Sequence, residues 1–156
     1  MERKASVVWT GRLRDGNGTI TTESGVLSDV EYSFGTRFGG ASASGGGTNP
    51  EELIAAAHAA CFSMALAAEL EKRGMTPDRV STSATAKLQK DGAAWSVTLL
   101  ELDTVAFVPG AEQARFEQAA ESAKAGCPIS RLLKAPIALH AKLEARSSEE
   151  ERKKAG

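Results

Sequence analysis

Aromatic residues are scarce in this chain, with two Trp, one Tyr and five Phe among 156 residues. A core must then be built mainly from Ala, Leu and Val, and such a core gains from association with a second copy. Cysteine is sparser still, at Cys61 and Cys127 only, which excludes a disulfide-dense scaffold. Neither sign of charge is in excess. Lys and Arg number 19 and Asp and Glu 20, for a net charge of −1, so nothing marks a nucleic-acid or anionic-lipid partner. Residues 1–8 are charged and lack the apolar stretch of a secretory leader. The longest uncharged apolar run, 53–68, is too short and too rich in Ala to count as a membrane span. A cytoplasmic protein with no membrane or nucleic-acid partner is expected. In that compartment a permanent structural disulfide is not expected, and two cysteines point to redox or metal chemistry or to none.

What is present is ordinary for one compact domain: 42% apolar and 25% charged residues. Residues 1–145 are expected to form it, with a charged, frayed tail over 146–156. Residues 4–13 read as a strand. Asp15-Gly16-Asn17-Gly18 is a hairpin-turn signal, because these residues tolerate positive φ, and 19–23 reads as the second strand. Val30, Tyr32 and Phe34 alternate with polar or small residues as in a half-buried strand. Five of the nine residues in 39–47 are glycine, which predicts a flexible loop. The stretch lacks the Gly-Lys-Ser/Thr ending of a phosphate-binding loop.

Asn49-Pro50-Glu51-Glu52 is a helix start, with a capping Asn, Pro at the first position and two acids at the positive end of the dipole. The helix is expected to reach about Arg73 and stop at Gly74. Between residues 53 and 68 only His58 and Ser63 carry polar side chains. A helix apolar nearly all round is a buried one, so this is read as the central helix, with Cys61 in its middle. Residues 79–90 and 95–108 read as strands joined at Asp91-Gly92. A helix over 111–125 with Gly126 as its stop follows, then a short helix opened by Cys127-Pro128, then a strand alternating from Ile137 to Leu143. The class is α+β with mainly antiparallel sheet.

Cys61 is either a small buried hydrophobe or a nucleophile. The second reading needs a thiolate, which burial opposes and which the helix dipole, three turns away, cannot supply. A cation must approach, and a desolvated Arg could lower the pKa by two units or more. His58 shares a helix face with Cys61. It either packs locally or acts as a base, but no third group is evident to orient it. His140 falls on the polar side of its strand. The two Cys and two His show no zinc-ligand spacing. Cys127, beside Pro128 at a helix start, is either a plain cap residue or a thiol placed for exchange.

The run Thr48-Asn49-Pro50-Glu51-Glu52-Leu53-Ile54-Ala55-Ala56-Ala57-His58-Ala59-Ala60-Cys61-Phe62-Ser63-Met64-Ala65-Leu66 strongly resembles the osmotically inducible protein C and organic hydroperoxide resistance family. Ala123-Lys124-Ala125-Gly126-Cys127-Pro128-Ile129-Ser130-Arg131-Leu132-Leu133-Lys134 matches its second block. Thr22-Glu23-Ser24-Gly25-Val26-Leu27 and Thr36-Arg37-Phe38 look like the OsmC branch rather than the Ohr branch. The resemblance implies an intertwined α+β homodimer, with mainly antiparallel sheets wrapped around a buried central helix and two sites at the interface. It implies a thiol peroxidase that reduces organic hydroperoxides and, less efficiently, hydrogen peroxide, without metal, flavin or other cofactor. Cys61 matches the peroxidatic cysteine and Cys127 the resolving cysteine. Arg37 matches the arginine that activates the thiolate, and Glu51 the acid that pairs with it. The implied reductant is a dithiol; Ohr-type members use lipoylated proteins. Glu51 and Cys61 are ten residues apart on one helix, about 15 Å along its axis. An Arg bonded to Glu51 therefore fits better as the activator of another chain's thiol. Phe34, Phe38, Phe62 and Met64 are candidates either for an apolar pocket or for ordinary core packing. The readings of a different class are a thiol-redox sensor or small apolar ligand-binding module without turnover and, more weakly, a cysteine hydrolase using His58.

Overall fold

A computed structural model describes residues 1–39 and 46–144. The expected tail over 146–156, and most of the Gly/Ser loop over 39–47, lie outside the described residues. The chain divides into two compact units, Met1–Leu53 and Ile54–Gly156.

In the first unit, β1 (Ala5–Thr10), β2 (Asn17–Thr22) and β3 (Val30–Ser33) form an antiparallel sheet in sequence order. Gly18 sits between Trp9 and Tyr32 in the strand register. A Cβ there would lie 2.4 Å from the Tyr32 ring. Its absence lets that ring lean across β2 to within 5.3 Å of Trp9, centroid to centroid, a spacing aromatic pairs favour. All six residues of β1 are exposed. The strand predicted through Phe34 stops one residue short. Ser33 accepts a hydrogen bond from the Thr36 N–H at 3.2 Å, and Thr36 Oγ1 accepts one from the Ser33 N–H at 2.8 Å. This reciprocal cap turns the chain into a one-turn helix, α1 (Phe34–Phe38). Alternation had placed Phe34 in the strand, but a cap made by two hydroxyls outweighs one more pleated residue.

In the second unit, β4 (Arg79–Asp91) and β5 (Ala94–Phe107) form a long antiparallel hairpin, with a bulge between Lys87 and Leu88. β6 (Ile137–Leu143) pairs with β5 in parallel, Leu100 opposite Ile137 through Ala106 opposite Leu143. A parallel partner requires a crossover. It is made by α3 (Gln113–Gly126) and α4 (Pro128–Leu132). The class is α+β with predominantly antiparallel sheets, as expected, and β6 is the exception.

The helix α2 (Pro50–Lys72) starts in the first unit and runs through the second. Asn49 caps it, its Oδ1 accepting from the Glu52 N–H at 2.8 Å. Gly74, at φ +71°, ends it, with the Met75 N–H returning to the Leu70 carbonyl at 2.9 Å. Within its own chain the central helix α2 buries His58, Phe62, Leu66 and Leu70, one stripe at four-residue spacing. Met64 is 77% exposed. An apolar composition on every face shows that the faces do not need water, not that the same chain covers them. By length and composition alone α2 also satisfies the requirements of a membrane span, with a mean hydropathy of 1.7 over its most apolar window. Its buried stripe instead enters a protein core. Phe62, Leu66 and Leu70 pack with Leu102, Ala106 and Val108, and with Phe116, Ala119, Ala120 and Ala123 of α3. Hydrogen bonds fix its rotation, from Ser63 to Thr82 of β4 at 2.8 Å and from Arg73 to Ser122 of α3 at 2.9 Å.

Candidate active site

Pro128 restricts the residue before it to extended backbone. Cys127 accordingly has φ −61° and ψ 122°, closing α3 and opening α4 in one residue. Gly126, the expected stop, is instead the last helical residue; the stop is Cys127 before Pro128. The same break turns the Cys127 side chain into the core, where it is fully buried. Its Sγ lies 3.1 Å from Cys61 Sγ on α2. Both thiols are free, and Cys61 is only half-buried. Sixty-six residues of sequence thus separate two sulfurs that need close by only about 1 Å to reach bonding distance.

The two sulfurs differ electrostatically. Burial pushes the Cys61 thiol up from its ordinary value; the Ile129 N–H opposes the rise and Cys127 adds to it. Burial pushes Cys127 up as well. Hydrogen bonds from the Ser130 backbone, from Cys61, from the Ser130 side chain and from the Ile129 backbone outweigh it, and the net direction is down. Of the two, the surroundings of Cys127 favour negative charge and those of Cys61 oppose it.

In the first unit, Arg37 on α1 donates to Glu51 in the first turn of α2. Nη2 meets Oε1 at 2.7 Å, and Nε lies 3.2 Å from each carboxylate oxygen. Two nitrogens on one carboxylate is the fork that fixes a guanidinium plane. The Phe38 ring lies under the same guanidinium at 5.1 Å and meets Phe34 in a tilted pair with centroids 4.8 Å apart. The structure therefore joins Arg37 to Glu51 and, separately, Cys61 to Cys127. Of the four pocket candidates, Phe62 belongs to the core and Phe34 and Phe38 pair with each other.

His58 is fully buried and does not serve Cys61. Its Nε2 hydrogen-bonds Ser130 Oγ at 2.8 Å, and its Nδ1 has no partner among the described residues. Ser130 was not among the residues singled out from the sequence. The available signal was its position three residues after Cys127, where a first-turn hydroxyl can reach back to the cap residue. His140 is exposed, as expected. Among the described residues no group of three or more His, Cys, Asp or Glu is placed to hold a metal ion.

Burial holds His58 below its ordinary pKa of 6.5. The unfolded chain takes up this proton near pH 6.5 and the folded chain only at lower pH, so stability is full above about pH 6.5 and declines below it. Thermal midpoints measured from about pH 7 down to about pH 5 should fall, and should fall less steeply in H58Q. Parallel curves for the two proteins would remove His58 as the cause.

The OsmC-like protein family model matches residues 42–142. Peroxiredoxin OsmC of Escherichia coli strain K12 is 45% identical over 144 residues, which is 92% of this chain and 98% of the relative. The chain belongs to the OsmC-like family. Its fold is that of the OsmC and Ohr proteins. The organic hydroperoxide resistance protein OhrB of Bacillus subtilis superposes with a TM-score of 0.66 at 25% identity, covering 90% of this chain and 98% of that one. An OsmC-like protein of Vibrio cholerae, at 18% identity, gives a TM-score of 0.72 over 90% of this chain and 99% of its own, a likeness of fold alone.

Proposed function

We infer that this OsmC-family chain is a cysteine-based peroxidase that reduces organic hydroperoxides and, more weakly, hydrogen peroxide. The observation that carries the reading is the pair of free sulfurs 3.1 Å apart, one half-buried and one fully buried, in a chain 45% identical to a peroxiredoxin. Cys61, the more accessible sulfur, is the peroxidatic residue. Its thiolate attacks one peroxide oxygen, the O–O bond breaks, and the alkoxide takes up a proton and leaves as an alcohol. Cys61 is left as a sulfenic acid. Cys127 attacks that sulfur, the S–O bond breaks, and one water is released as the Cys61–Cys127 disulfide forms. A dithiol returns both cysteines to thiols by exchange, and a lipoylated protein is the candidate reductant.

The activating cation is Arg37, held in plane by Glu51. It offsets the burial that raises the Cys61 pKa and stabilises charge developing on the leaving oxygen. Glu51 sits ten residues before Cys61 on α2, so the pair of one protomer serves Cys61 of its partner in a homodimer. β1, exposed along its whole length with Val7 and Val8 on it, and the exposed Met64 of α2 supply apolar surface for a second copy. Each chain contributes one OsmC-like domain over residues 1–145, acting in the cytoplasm without metal or organic cofactor.

Cys127→Ser separates the two steps. After one equivalent of cumene hydroperoxide it should accumulate Cys61 sulfenic acid, trapped by dimedone and seen by mass spectrometry, where the parent protein accumulates disulfide. Full cycling of this variant with dithiol would exclude Cys127 as the resolving group. Peroxide consumption by the parent protein that stops at one equivalent per chain, with dithiol in excess, would favour a redox sensor without turnover.

A further inference from the structure

The aromatic pair beside Arg37 holds a second guanidinium that the scheme above does not use. Arg14, in the turn between β1 and β2, lies over the Phe34 ring at 5.4 Å from its centroid. Phe34 meets Phe38 at 4.8 Å, and Arg37 lies over Phe38 at 5.1 Å. Two cations thus bracket one pair of rings, all within the first unit. They differ in charge balance. Glu51 matches the charge of Arg37. Arg14 is exposed and forms no ion pair among the described residues, not even with the adjacent Asp15. A guanidinium lying on a ring engages that ring with its face and keeps the N–H groups along its edge for an anion. Phe34 and Phe38 are each half-buried, which leaves hydrocarbon exposed between the two cations.

We propose that Arg14 is a specificity residue that binds a carboxylate at the far end of the hydroperoxide substrate. The inference rests on Arg37 acting at the peroxide. With the O–O group at Arg37, the organic part of the substrate lies along Phe38 and Phe34, and its end meets the unmatched charge of Arg14. The favoured class is an organic hydroperoxide with an apolar body and a terminal anion. Hydrogen peroxide and neutral hydroperoxides react at Arg37 and gain nothing from Arg14. The carboxylate takes no part in bond making or breaking. Arg14 holds it equally before and during O–O cleavage, so the contact lowers KM and leaves kcat unchanged.

The test uses ω-hydroperoxyalkanoic acids of increasing chain length, each paired with its methyl ester, in steady-state turnover by the full-length protein with dithiol in excess. At the length that spans the aromatic pair, the acid should show a KM roughly fivefold below that of its ester at equal kcat. The preference should shrink as salt is added, while the ester is unaffected. Arg14→Gln should abolish the preference by raising the KM of the acid alone. Its turnover of the esters and of cumene hydroperoxide, and its Cys61 alkylation curve, should match the parent. Arg14→Lys keeps the charge but not the planar fork and should retain part of the preference. Arg12→Gln removes an equal charge from the same turn and should leave the preference intact. Equal KM for acid and ester at every length in the parent, loss of acid and ester alike in Arg14→Gln, or an Arg12→Gln effect as large as that of Arg14→Gln would each overturn the proposal. A parent protein that consumes none of these hydroperoxides, nor cumene hydroperoxide, would instead overturn the peroxidase reading on which it rests.

Discussion

Cys61→Ser should lose peroxide turnover by about a thousandfold or more, to the uncatalysed background, because an alcohol has neither the thiolate fraction nor the sulfur that accepts the peroxide oxygen. Cumene hydroperoxide consumption coupled to dithiol oxidation is the measurement. The substitution is nearly isosteric at a half-buried position, so far-ultraviolet circular dichroism should match the parent. Retention of normal turnover by a folded Cys61→Ser protein would leave Cys127 as the nucleophile. That outcome carries weight because Cys127 is the sulfur with the lowered pKa in the isolated pair. The proposed assignment of the first step to Cys61 rests on access: Cys61 is half-buried and Cys127 is fully buried.

Arg37→Ala is the second large effect. If the guanidinium supplies the charge that burial of Cys61 demands, its removal should raise the Cys61 alkylation midpoint by about two units, equivalent to about 2.7 kcal/mol. Turnover near neutral pH should fall by roughly a hundredfold. Arg37→Lys should recover only part of this, since an ammonium restores charge but not the two-nitrogen grip on Glu51. Glu51→Gln should fall between, because it keeps the cation and weakens its alignment. Iodoacetamide alkylation against pH reads the thiol directly, and an Arg37→Ala curve lying on that of the parent would remove Arg37 from the site.

The parts of this fold that were legible in the sequence are those set by local chemistry. Asn49-Pro50 and Gly74 bracket α2 because capping and positive φ are properties of single residues. The Ile137 to Leu143 alternation returns as β6 because pleating has a period of two. Two features depended on more than local pattern. Phe34 left its strand because two hydroxyls capped a helix there, a reciprocal bond that neither Ser33 nor Thr36 announces alone. The burial of α2 on a single stripe could not be read from its composition, since Ala is compatible with any face. At the site, Cys61, Cys127, Arg37 and Glu51 were reached through family motifs, not through spacing. The structure adds contacts within each pair, at 3.1 Å for the sulfurs and 2.7 Å for the ion pair. The His58–Ser130 contact was missed because it spans 72 positions, which no local window contains.

In the proposed disulfide, the inward turn that Pro128 imposes on Cys127 also bears on how the bridge is reopened. A reducing thiol would then meet the half-buried Cys61 first, forming the mixed disulfide there and releasing Cys127. Departure is fastest for the sulfur that best tolerates negative charge, and the backbone of Ile129 and Ser130 favours that charge on the inner one. Steric shielding and leaving-group quality thus select the same bond end.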